Sequence, residues 1–249
     1  MTLTLATTTE SYGALGEPEI FASLQGEGRS AGLPCTFVRL SRCNLACTWC
    51  DTAYTWHFAG DLRPHRDGVT FDRTANQIVL SEADVAARIT ALGNERLVIT
   101  GGEPLLQGAA LARMVALLVG HTVEIETNGT VAPHAELAPM VDQYNISPKL
   151  KHSGNAAEIA LLSERLEAWK NEPKAYFKFV ISAPADLAEV LALQQAYDLP
   201  AGRIQLMPEG TSSADIRARS AWLAPLALDH GLGFSDRLHI HLYGDTRGT

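Results

Sequence analysis

The chain has 249 residues, 46% of them hydrophobic, which suits a globular protein with a sizeable core. Its formal net charge of −8 argues against a nucleic-acid-binding surface, which would show a clustered basic face. No apolar run is long enough to span a bilayer, and the N-terminus lacks the features of a signal peptide. We expect a cytoplasmic protein without nucleic-acid or membrane partners. We expect residues 1–16 to form a flexible tail and residues 17–249 to form a single domain.

Short β-rich runs alternate with runs of helical period along the chain, a pattern that predicts a parallel sheet with crossover helices. The predicted strands are 36–40, 97–100, 123–126, 144–147, 177–181, 204–207 and 238–242. The predicted helices are 81–92, 111–119, 156–170, 185–197 and 213–230. Ser81 suits the N-cap of the first of these helices, with Asp84 three residues later. We interpret residues 57–77, rich in Gly, Asp, Arg and Pro, as an excursion within the domain.

Three cysteines follow the first predicted strand with the spacing C-x3-C-x2-C, namely Cys43, Cys47 and Cys50. A loop of this kind can bind three irons of a [4Fe–4S] cluster, whereas most such clusters have four cysteine ligands. The iron left open can bind S-adenosylmethionine (SAM) through its amino and carboxylate groups. This spacing, with an aromatic residue at Trp49, resembles the cluster loop of radical SAM enzymes.

The main alternative for the cysteine loop is a structural zinc site. Such a site has four protein ligands and no open position, and the ligands usually come in two close pairs. Cys35 or His57 could be the fourth ligand, but neither forms a second pair. A disulfide is less favoured, because close thiols in a cytosolic protein more often bind metal or act in catalysis. Cys35 itself suits a buried, small apolar position.

Polar motifs follow several predicted strands, at the edge where a parallel barrel has its active site. Gly101-Gly102-Glu103-Pro104 lets backbone approach a ligand and offers Glu103 to an ammonium group, or else forms a strand-to-helix turn. Glu126-Thr127-Asn128-Gly129 is either a polar wall near the SAM ribose or a turn of positive φ. Ser147-Pro148-Lys149 offers Lys149 to a carboxylate.

Three further motifs lie outside these strand ends. In Gln25-Gly26-Glu27-Gly28, Gln25 offers a donor and an acceptor to a planar heterocycle. Asp51-Thr52 supplies hard oxygen ligands of the kind that Mg²⁺ prefers. His239 and His241 share one face of the predicted last strand, where one of them would line the site; without a third clear ligand a metal pair is disfavoured.

The order of these motifs resembles the 7-carboxy-7-deazaguanine synthase family, the radical SAM lyases of the queuosine and deazapurine pathway. The motifs that carry the resemblance are Glu19-Ile20-Phe21, Leu24-Gln25-Gly26-Glu27-Gly28, Arg39, the cysteine loop with Asp51-Thr52, Thr100-Gly101-Gly102-Glu103-Pro104, Glu126-Thr127-Asn128-Gly129, Ser147-Pro148-Lys149 and Tyr243-Gly244…Arg247-Gly248. They cover nearly the whole chain from Glu19 onward. The resemblance implies a partial, incomplete parallel TIM-like barrel of the radical SAM type.

The resemblance also implies a reaction. The substrate would be 6-carboxy-5,6,7,8-tetrahydropterin and the product 7-carboxy-7-deazaguanine, with loss of ammonia. A reduced [4Fe–4S] cluster would donate one electron to SAM, and the resulting 5′-deoxyadenosyl radical would take hydrogen from C6 of the substrate. The substrate radical would contract its ring with help from Mg²⁺, and SAM would be regenerated.

Residue roles follow from the matching motif positions. The implied catalytic residues are the cluster ligands Cys43, Cys47 and Cys50 together with Arg39 and Thr52, the last of which would bind Mg²⁺. The residues implied to line SAM are Trp49, Cys50, Asp51, Gly102, Glu103, Glu126, Ser147, Pro148, Lys149 and Gln205. The residues implied to contact the substrate are Leu24, Gln25, Gly26, Arg39, Thr100, His241 and the C-terminal Thr249.

Two other functions remain open from the sequence. A different radical SAM enzyme, such as an activase that installs a glycyl radical on a partner protein, would leave the loop 25–28 unexplained. A zinc-stabilised binding module would be colourless, whereas the enzyme would be brown with about four irons per chain. For the enzyme we expect a small pterin substrate, a flavodoxin- or ferredoxin-type electron donor, and a homodimer.

Overall fold

The computed structural model describes residues 2–8 and 16–249. In these ranges one sheet contains ten strands. They are β1 (Thr2–Ala6), β2 (Ile20–Leu24), β3 (Pro34–Leu40), β4 (Gln77–Ser81), β5 (Arg96–Gly101), β6 (Thr122–Thr127), β7 (Gln143–Ile146), β8 (Ala175–Ile181), β9 (Ile204–Pro208) and β10 (Gly233–Phe234). Their order is β10-β9-β8-β7-β6-β5-β3-β1-β4, and β2 also pairs with β3.

Seven of these strands run parallel, from β3 through β5, β6, β7, β8 and β9 to β10. The register places Arg39 opposite Thr100, Glu126 opposite Asn145, and Lys178 opposite Gln205. Polar side chains that the sequence scatters over more than 160 residues therefore come from neighbouring strands. The mostly parallel sheet with crossover helices confirms the predicted incomplete barrel.

The helices lie between the strands as a crossover topology requires. They are α1 (Arg73–Asn76), α2 (Glu82–Leu92), α3 (Gly108–Val115), α4 (Ala157–Ala160), α5 (Ser163–Asn171), α6 (Asp186–Tyr197), α7 (Ser213–Asp229) and α8 (Leu238–Tyr243). Ser81 caps α2 as predicted, because its Oγ accepts a hydrogen bond from the Asp84 amide at 3.1 Å. None of the helices within the described ranges has the length and apolarity needed to cross a bilayer.

The core lies along the parallel strands. On β5, Leu97, Val98 and Ile99 are all fully buried, so both faces of this strand are covered. Central strands covered on both faces carry continuous apolar runs, which is why their positions are readable from the sequence.

The predicted flexible tail is wrong for residues 2–6, which form β1. Leu3 and Leu5 are fully buried, and the strand pairs antiparallel with β4 and meets β3 at Leu40. Burial of two leucines on one face offsets the entropy cost of ordering this terminus. Residues 9–15 of the predicted tail lie outside the described residues.

Three other predicted elements differ from the structure. The helix predicted at 111–119 is α3, which begins earlier, at Gly108, and ends earlier, at Val115. The helix at 156–170 is divided into α4 and α5, because Leu161 and Leu162 leave the helical region while Leu161 packs against the core. The strand at 238–242 is the helix α8, in which Ile240 alone is buried and the Gly244 amide donates to the Ile240 carbonyl. A short alternating run does not by itself distinguish a strand from a helix.

Candidate active site

A cavity of about 390 Å³ opens at the carboxyl ends of the parallel strands. Most of the predicted site residues line it: Leu24, Gln25, Gly26, Arg39, Cys43, Cys47, Trp49, Cys50, Asp51, Thr52, Thr100, Gly102, Glu126, Ser147, Lys149 and Thr249. Four predicted site residues do not: Glu103, Pro148, Gln205 and His241. The strand-end motifs thus meet at one place, as the topology predicts.

Two glycines at the end of β5, Gly101 and Gly102, allow the cysteine loop and the turn after β5 to approach closely. A Cβ on Gly102 would lie 2.1 Å from the Arg42 carbonyl oxygen, and one on Gly101, whose φ is +138°, would lie 2.0 Å from that of Leu40. The Gly102 and Glu103 amides donate to these same two carbonyls, at 3.0 and 2.9 Å. Because backbone cannot move aside as a flexible side chain can, these positions require glycine.

The three loop cysteines fit the ligand set of a [4Fe–4S] cluster by their chemistry and placement. All three are free thiols on the cavity wall, whereas Cys35 is buried against Phe37, as predicted. Burial raises the pKa of Cys43 to about 12 and that of Cys47 to about 11, so cluster binding must displace their protons.

No three His, Cys, Asp or Glu side chains within residues 2–8 and 16–249 converge on a site for a single ion. A cluster does not require such convergence, since its thiolates bind different irons.

Glu103 differs from its predicted role as an acceptor for the SAM ammonium group. It is fully buried, and its carboxylate accepts from Leu105 N (3.0 Å), Thr127 Oγ1 (2.8 Å) and Asn128 N (2.7 Å). Burial raises its pKa to about 6 despite these hydrogen bonds. The structure therefore shows the alternative of a turn, with Glu103 as the N-cap of a short 3₁₀ helix, Pro104–Gln107.

Arg39 is held at the cavity by a buried acidic partner. Its Nε donates to Glu19 Oε1 at 2.8 Å, and the Tyr54 hydroxyl donates to the same carboxylate at 3.0 and 3.1 Å. In the described part of the chain, the hydrogen bonds of Arg39 use Nε alone, so its two terminal amino groups have no protein partner. A guanidinium arranged in this way can form two parallel hydrogen bonds to a carboxylate in the cavity.

Gln25 and Glu126 belong to a polar network that spans β5 and β6. Gln25 Nε2 donates to Glu124 Oε1 at 2.8 Å and to Glu126 Oε1 at 3.3 Å, and Gln25 Oε1 accepts from the Glu27 amide at 3.2 Å. Thr100 Oγ1 donates to Glu126 Oε2 at 2.9 Å. The side-chain amide of Gln25 is thus hydrogen-bonded within the protein while Gln25 lines the cavity.

A second, charged network joins the cysteine loop to the C-terminal part of the chain. The Arg237 guanidinium contacts Asp51 and, at 2.9 Å, Glu27 Oε1, while Lys178 pairs with the other Glu27 oxygen. Burial alone would raise the pKa of Asp51, but the Arg237 charge holds it below its usual value. Arg237 and Lys178 line the cavity, and the sequence analysis missed both.

The two histidines near the C-terminus lie in α8 and do not share a face, because residues two apart on a helix point in nearly opposite directions. His239 lines the cavity beside Gly26. His241 instead contacts Ser213 Oγ at 2.8 Å and Asp236 Oδ1 at 3.2 Å, away from the cavity. The predicted pairing of the histidines on one face is therefore wrong.

The last residues of the chain close part of the cavity wall. The Arg247 guanidinium carbon lies 3.4 Å from the centroid of the Tyr54 ring, and Arg247 also donates to Asn76 Oδ1 at 3.0 Å. These contacts bring Thr249 to the cavity lining, as the sequence led us to expect.

The remaining cavity residues surround the cysteine loop. Lys149 Nζ donates to the carbonyl and the hydroxyl of Ser147, both at 2.7 Å. Trp49 stacks on His152 with centroids 5.5 Å apart, and its indole Nε1 is buried without a hydrogen-bond partner among the described residues. Thr52 Oγ1 lies 3.6 Å from Cys50 Sγ.

Comparison with known proteins gives one consistent result. The radical SAM superfamily matches residues 38–150. A 7-carboxy-7-deazaguanine synthase from Pyrobaculum aerophilum is 37% identical, with 92% of this chain and 95% of that protein covered. Another from Halobacterium salinarum is 34% identical, with 95% and 93% covered. The crystal structure of QueE from Escherichia coli superposes with a TM-score of 0.64 at 26% identity, with 88% of this chain and 92% of that chain covered.

Proposed function

Since the chain belongs to the 7-carboxy-7-deazaguanine synthase family of radical SAM enzymes, we propose that it converts 6-carboxy-5,6,7,8-tetrahydropterin to 7-carboxy-7-deazaguanine and ammonia. The observation that supports this best is the shared cavity: three cluster-type cysteines line the same space as Arg39, Thr100 and Glu126. The substrate contains the same atoms as the deazaguanine acid plus ammonia, so the reaction needs no net oxidant.

Cys43, Cys47 and Cys50 would hold the [4Fe–4S] cluster in this proposal. When bound, the cluster and SAM would supply one-electron radical chemistry at the substrate. The protein contributes placement and exclusion of water. Lys149 Nζ lines the cavity 2.7 Å from the Ser147 hydroxyl, and we assign it to the carboxylate of SAM.

Arg39 would bind the substrate carboxylate through its two unpaired terminal amino groups. Glu19 fixes the guanidinium plane from the other side, so little side-chain entropy remains to be lost on binding. Thr100 would face the pterin ring, Glu126 would line SAM beside it, and Thr249 would cover the pterin at the C-terminus. His239, not His241, is the histidine on this wall.

Thr52 would be the protein ligand of Mg²⁺. A single hydroxyl leaves most of the octahedral shell to water and substrate oxygens, as is usual for this ion. A flavodoxin- or ferredoxin-type electron donor, a homodimer and a single domain that includes β1 complete the proposal. The first two rest on the family resemblance, and the third is supported by the one sheet that contains β1.

The test is an anaerobic assay of reconstituted protein with dithionite, SAM, Mg²⁺ and the carboxytetrahydropterin, followed by mass spectrometry. We expect the deazaguanine acid from the wild type. We expect at least a hundredfold loss of product in Arg39→Ala, about the effect of losing one bidentate charged contact of about 3 kcal/mol. Arg88→Ala is the matched control, because Arg88 pairs with Glu17 on the surface, away from the cavity.

Two results would contradict the proposal in different ways. SAM cleavage without formation of the deazaguanine acid would overturn the substrate and favour another radical SAM reaction, such as glycyl-radical activation. Wild-type protein that takes up zinc but no iron would overturn the cluster itself.

A further inference from the structure

A short segment far from the cysteines in sequence holds the middle of the cysteine loop. Residues 153–155 comprise the last residue of the 3₁₀ helix Lys151–Ser153 and the two residues after it. The Ser153 carbonyl accepts a hydrogen bond from the Thr48 amide at 2.9 Å. Gly154, with φ of +81°, packs so closely on Thr48 that a Cβ would lie 2.6 Å from its Cγ2 atom. The segment and the loop are therefore in direct contact through both backbone and side-chain atoms.

Asn155 makes the most direct contact with this loop. Its Oδ1 accepts from the Ala46 amide at 2.9 Å, and its Nδ2 donates to Cys47 Sγ at 3.3 Å and to Ser153 Oγ at 3.1 Å. The backbone N–H of Ala46 can only donate, so it fixes the orientation of the carboxamide. The amino group must then be the one that faces the sulfur.

Polar side chains also lie near the other two cysteine sulfurs. Asn128 Nδ2 lies 3.9 Å from Cys43 Sγ, and Thr52 Oγ1 lies 3.6 Å from Cys50 Sγ. Asn128 Nδ2 also donates to Asn44 Oδ1 at 3.0 Å. Asn155 is thus the side chain with the shortest of these three sulfur contacts, and its donor is already oriented before any ligand binds.

We propose that Asn155 is a positioning residue that donates a hydrogen bond to the Cys47 ligand of the cluster and raises the reduction potential of the cluster. Reduction adds negative charge to the cluster and its sulfurs, so a fixed N–H donor stabilises the reduced form more than the oxidised form. This inference rests on the proposed cluster ligation by Cys47.

Two substitutions separate the hydrogen bond to sulfur from the support of the loop. Asn155→Asp keeps an acceptor for the Ala46 amide, removes the donor to Cys47 Sγ and adds a negative charge. Asn155→Ala removes both contacts. Asn171→Asp is the matched control, because Asn171 is an exposed residue whose amide donates to the Glu167 carbonyl.

The experiment is a potentiometric titration of reconstituted, cluster-loaded protein without SAM, followed by the electron paramagnetic resonance signal of the reduced cluster. Iron content is measured on the same samples. At the midpoint potential of the wild type, we expect the ratio of reduced to oxidised cluster in Asn155→Asp to fall about tenfold, a shift of about 59 mV. We expect a smaller fall in the same direction in Asn155→Ala and none in Asn171→Asp.

An unchanged midpoint in cluster-loaded Asn155→Asp would overturn the inference. So would a lower iron content with an unchanged midpoint in the loaded fraction, because that pattern would mean that Asn155 only supports the loop. Absence of a cluster in wild-type protein would instead overturn the proposed function.

Discussion

Glu103 has a buried carboxyl group, and burial disfavours its ionised form. Burial raises its pKa from 4.5 to about 6, although three donors hydrogen-bond to it. The folded protein therefore binds the proton more tightly than the unfolded chain does. The contribution of this group to stability is complete below pH 4.5 and is lost as the pH rises through 6. The shift corresponds to about 2 kcal/mol.

Glu103→Gln should abolish this pH dependence. Between pH 4.5 and 7, the free energy of unfolding of the wild type should fall by about 2 kcal/mol relative to that of the variant. The variant should be less stable by about 1–3 kcal/mol at the lower end of this range, since Gln offers one acceptor oxygen to three donors. Urea unfolding of the cluster-free protein measures both effects. Glu158→Gln, at an exposed site on α4, is the control, and parallel curves for Glu103→Gln and wild type would refute the argument.

Arg237 forms ion pairs with the largely buried carboxylate of Glu27 and with the partly exposed carboxylate of Asp51. It joins Glu27 to Asp51 and donates to the Gly210 carbonyl. Arg237→Met should lower the free energy of unfolding by about 2–3 kcal/mol, less than the loss for a fully buried pair, because Asp51 keeps part of its solvent contact and Glu27 keeps Lys178. Arg237→Lys should lose less, since a point charge replaces only part of the planar contact.

Arg88→Met is the matched control for this substitution. The Arg88–Glu17 pair lies on the surface, with about half of each side chain exposed, so its loss should cost under about 1 kcal/mol. Denaturant unfolding compares the variants. Equal losses in Arg237→Met and Arg88→Met would mean that the buried network contributes nothing beyond a surface pair.

At the scale of elements, the sequence predicts the central parallel strands better than the other strands of the sheet. β5 is a central strand with a continuous apolar run, whereas β6 alternates Val123 and Ile125 with two glutamates, a pattern that is also typical of a strand. The sequence analysis missed four strands that are short or pair with strands far away along the chain, namely β1, β2, β4 and β10. In β1 the alternation of Leu3 and Leu5 with threonines is a strand signal, yet its terminal position favours a tail. Its partner, β4, lies 70 residues later, and no local pattern reveals that pairing.

The contact between α8 and the loop 25–28 gives a prediction at this scale. The Leu238 amide donates to the Gly26 carbonyl at 2.8 Å, and a Cβ on Gly26 would lie 2.1 Å from His239 Nδ1. Gly26→Ala should therefore destabilise the protein by about 1–3 kcal/mol through overpacking and should weaken substrate binding. Thermal unfolding and KM measure the two losses.

His239→Ala in the Gly26→Ala background supplies the control. If the clash is with the imidazole, the double variant should be more stable than Gly26→Ala alone, a coupling that a double-mutant cycle detects. If the stability of the double variant equals the sum of the two single changes, α8 does not restrict the packing of the loop at Gly26.

At the scale of the whole molecule, the site is predictable where its residues cluster in the sequence and not where they meet only in space. The cysteine loop and the strand-end motifs line one cavity because the carboxyl ends of parallel strands share an edge. Arg237, Lys178 and Asn155 reach the site from more than 100 residues beyond the cysteine loop, as single residues without a local motif. Glu103 and His241 show the reverse: motif position alone does not decide whether a side chain faces the cavity.

The hydrophobic core and the cysteine loop are separate parts of this molecule, which leads to a prediction about folding. The core cluster along the sheet contains none of Cys43, Cys47 and Cys50. The triple alanine variant at these positions should therefore keep the circular dichroism of the cluster-free wild type and unfold cooperatively. Its free energy of unfolding should be lower by no more than about 2 kcal/mol, since it loses only partial packing in a loop.

Reconstitution of the cluster should then distinguish the wild type from the triple alanine variant. The wild type should gain thermal stability on binding the cluster, and SAM at a hundred times its Kd should add about 2.7 kcal/mol. The triple variant should gain from neither, whereas Cys35→Ala should still take up iron and respond to SAM, because Cys35 packs against Phe37 away from the loop. Anaerobic calorimetry with iron analysis measures these gains. A triple variant that fails to fold would show that the loop is part of the folding core, and one that binds four irons would show that the ligands lie elsewhere. We therefore expect iron binding to depend on the three cysteines of the loop and the folding of the sheet not to depend on them.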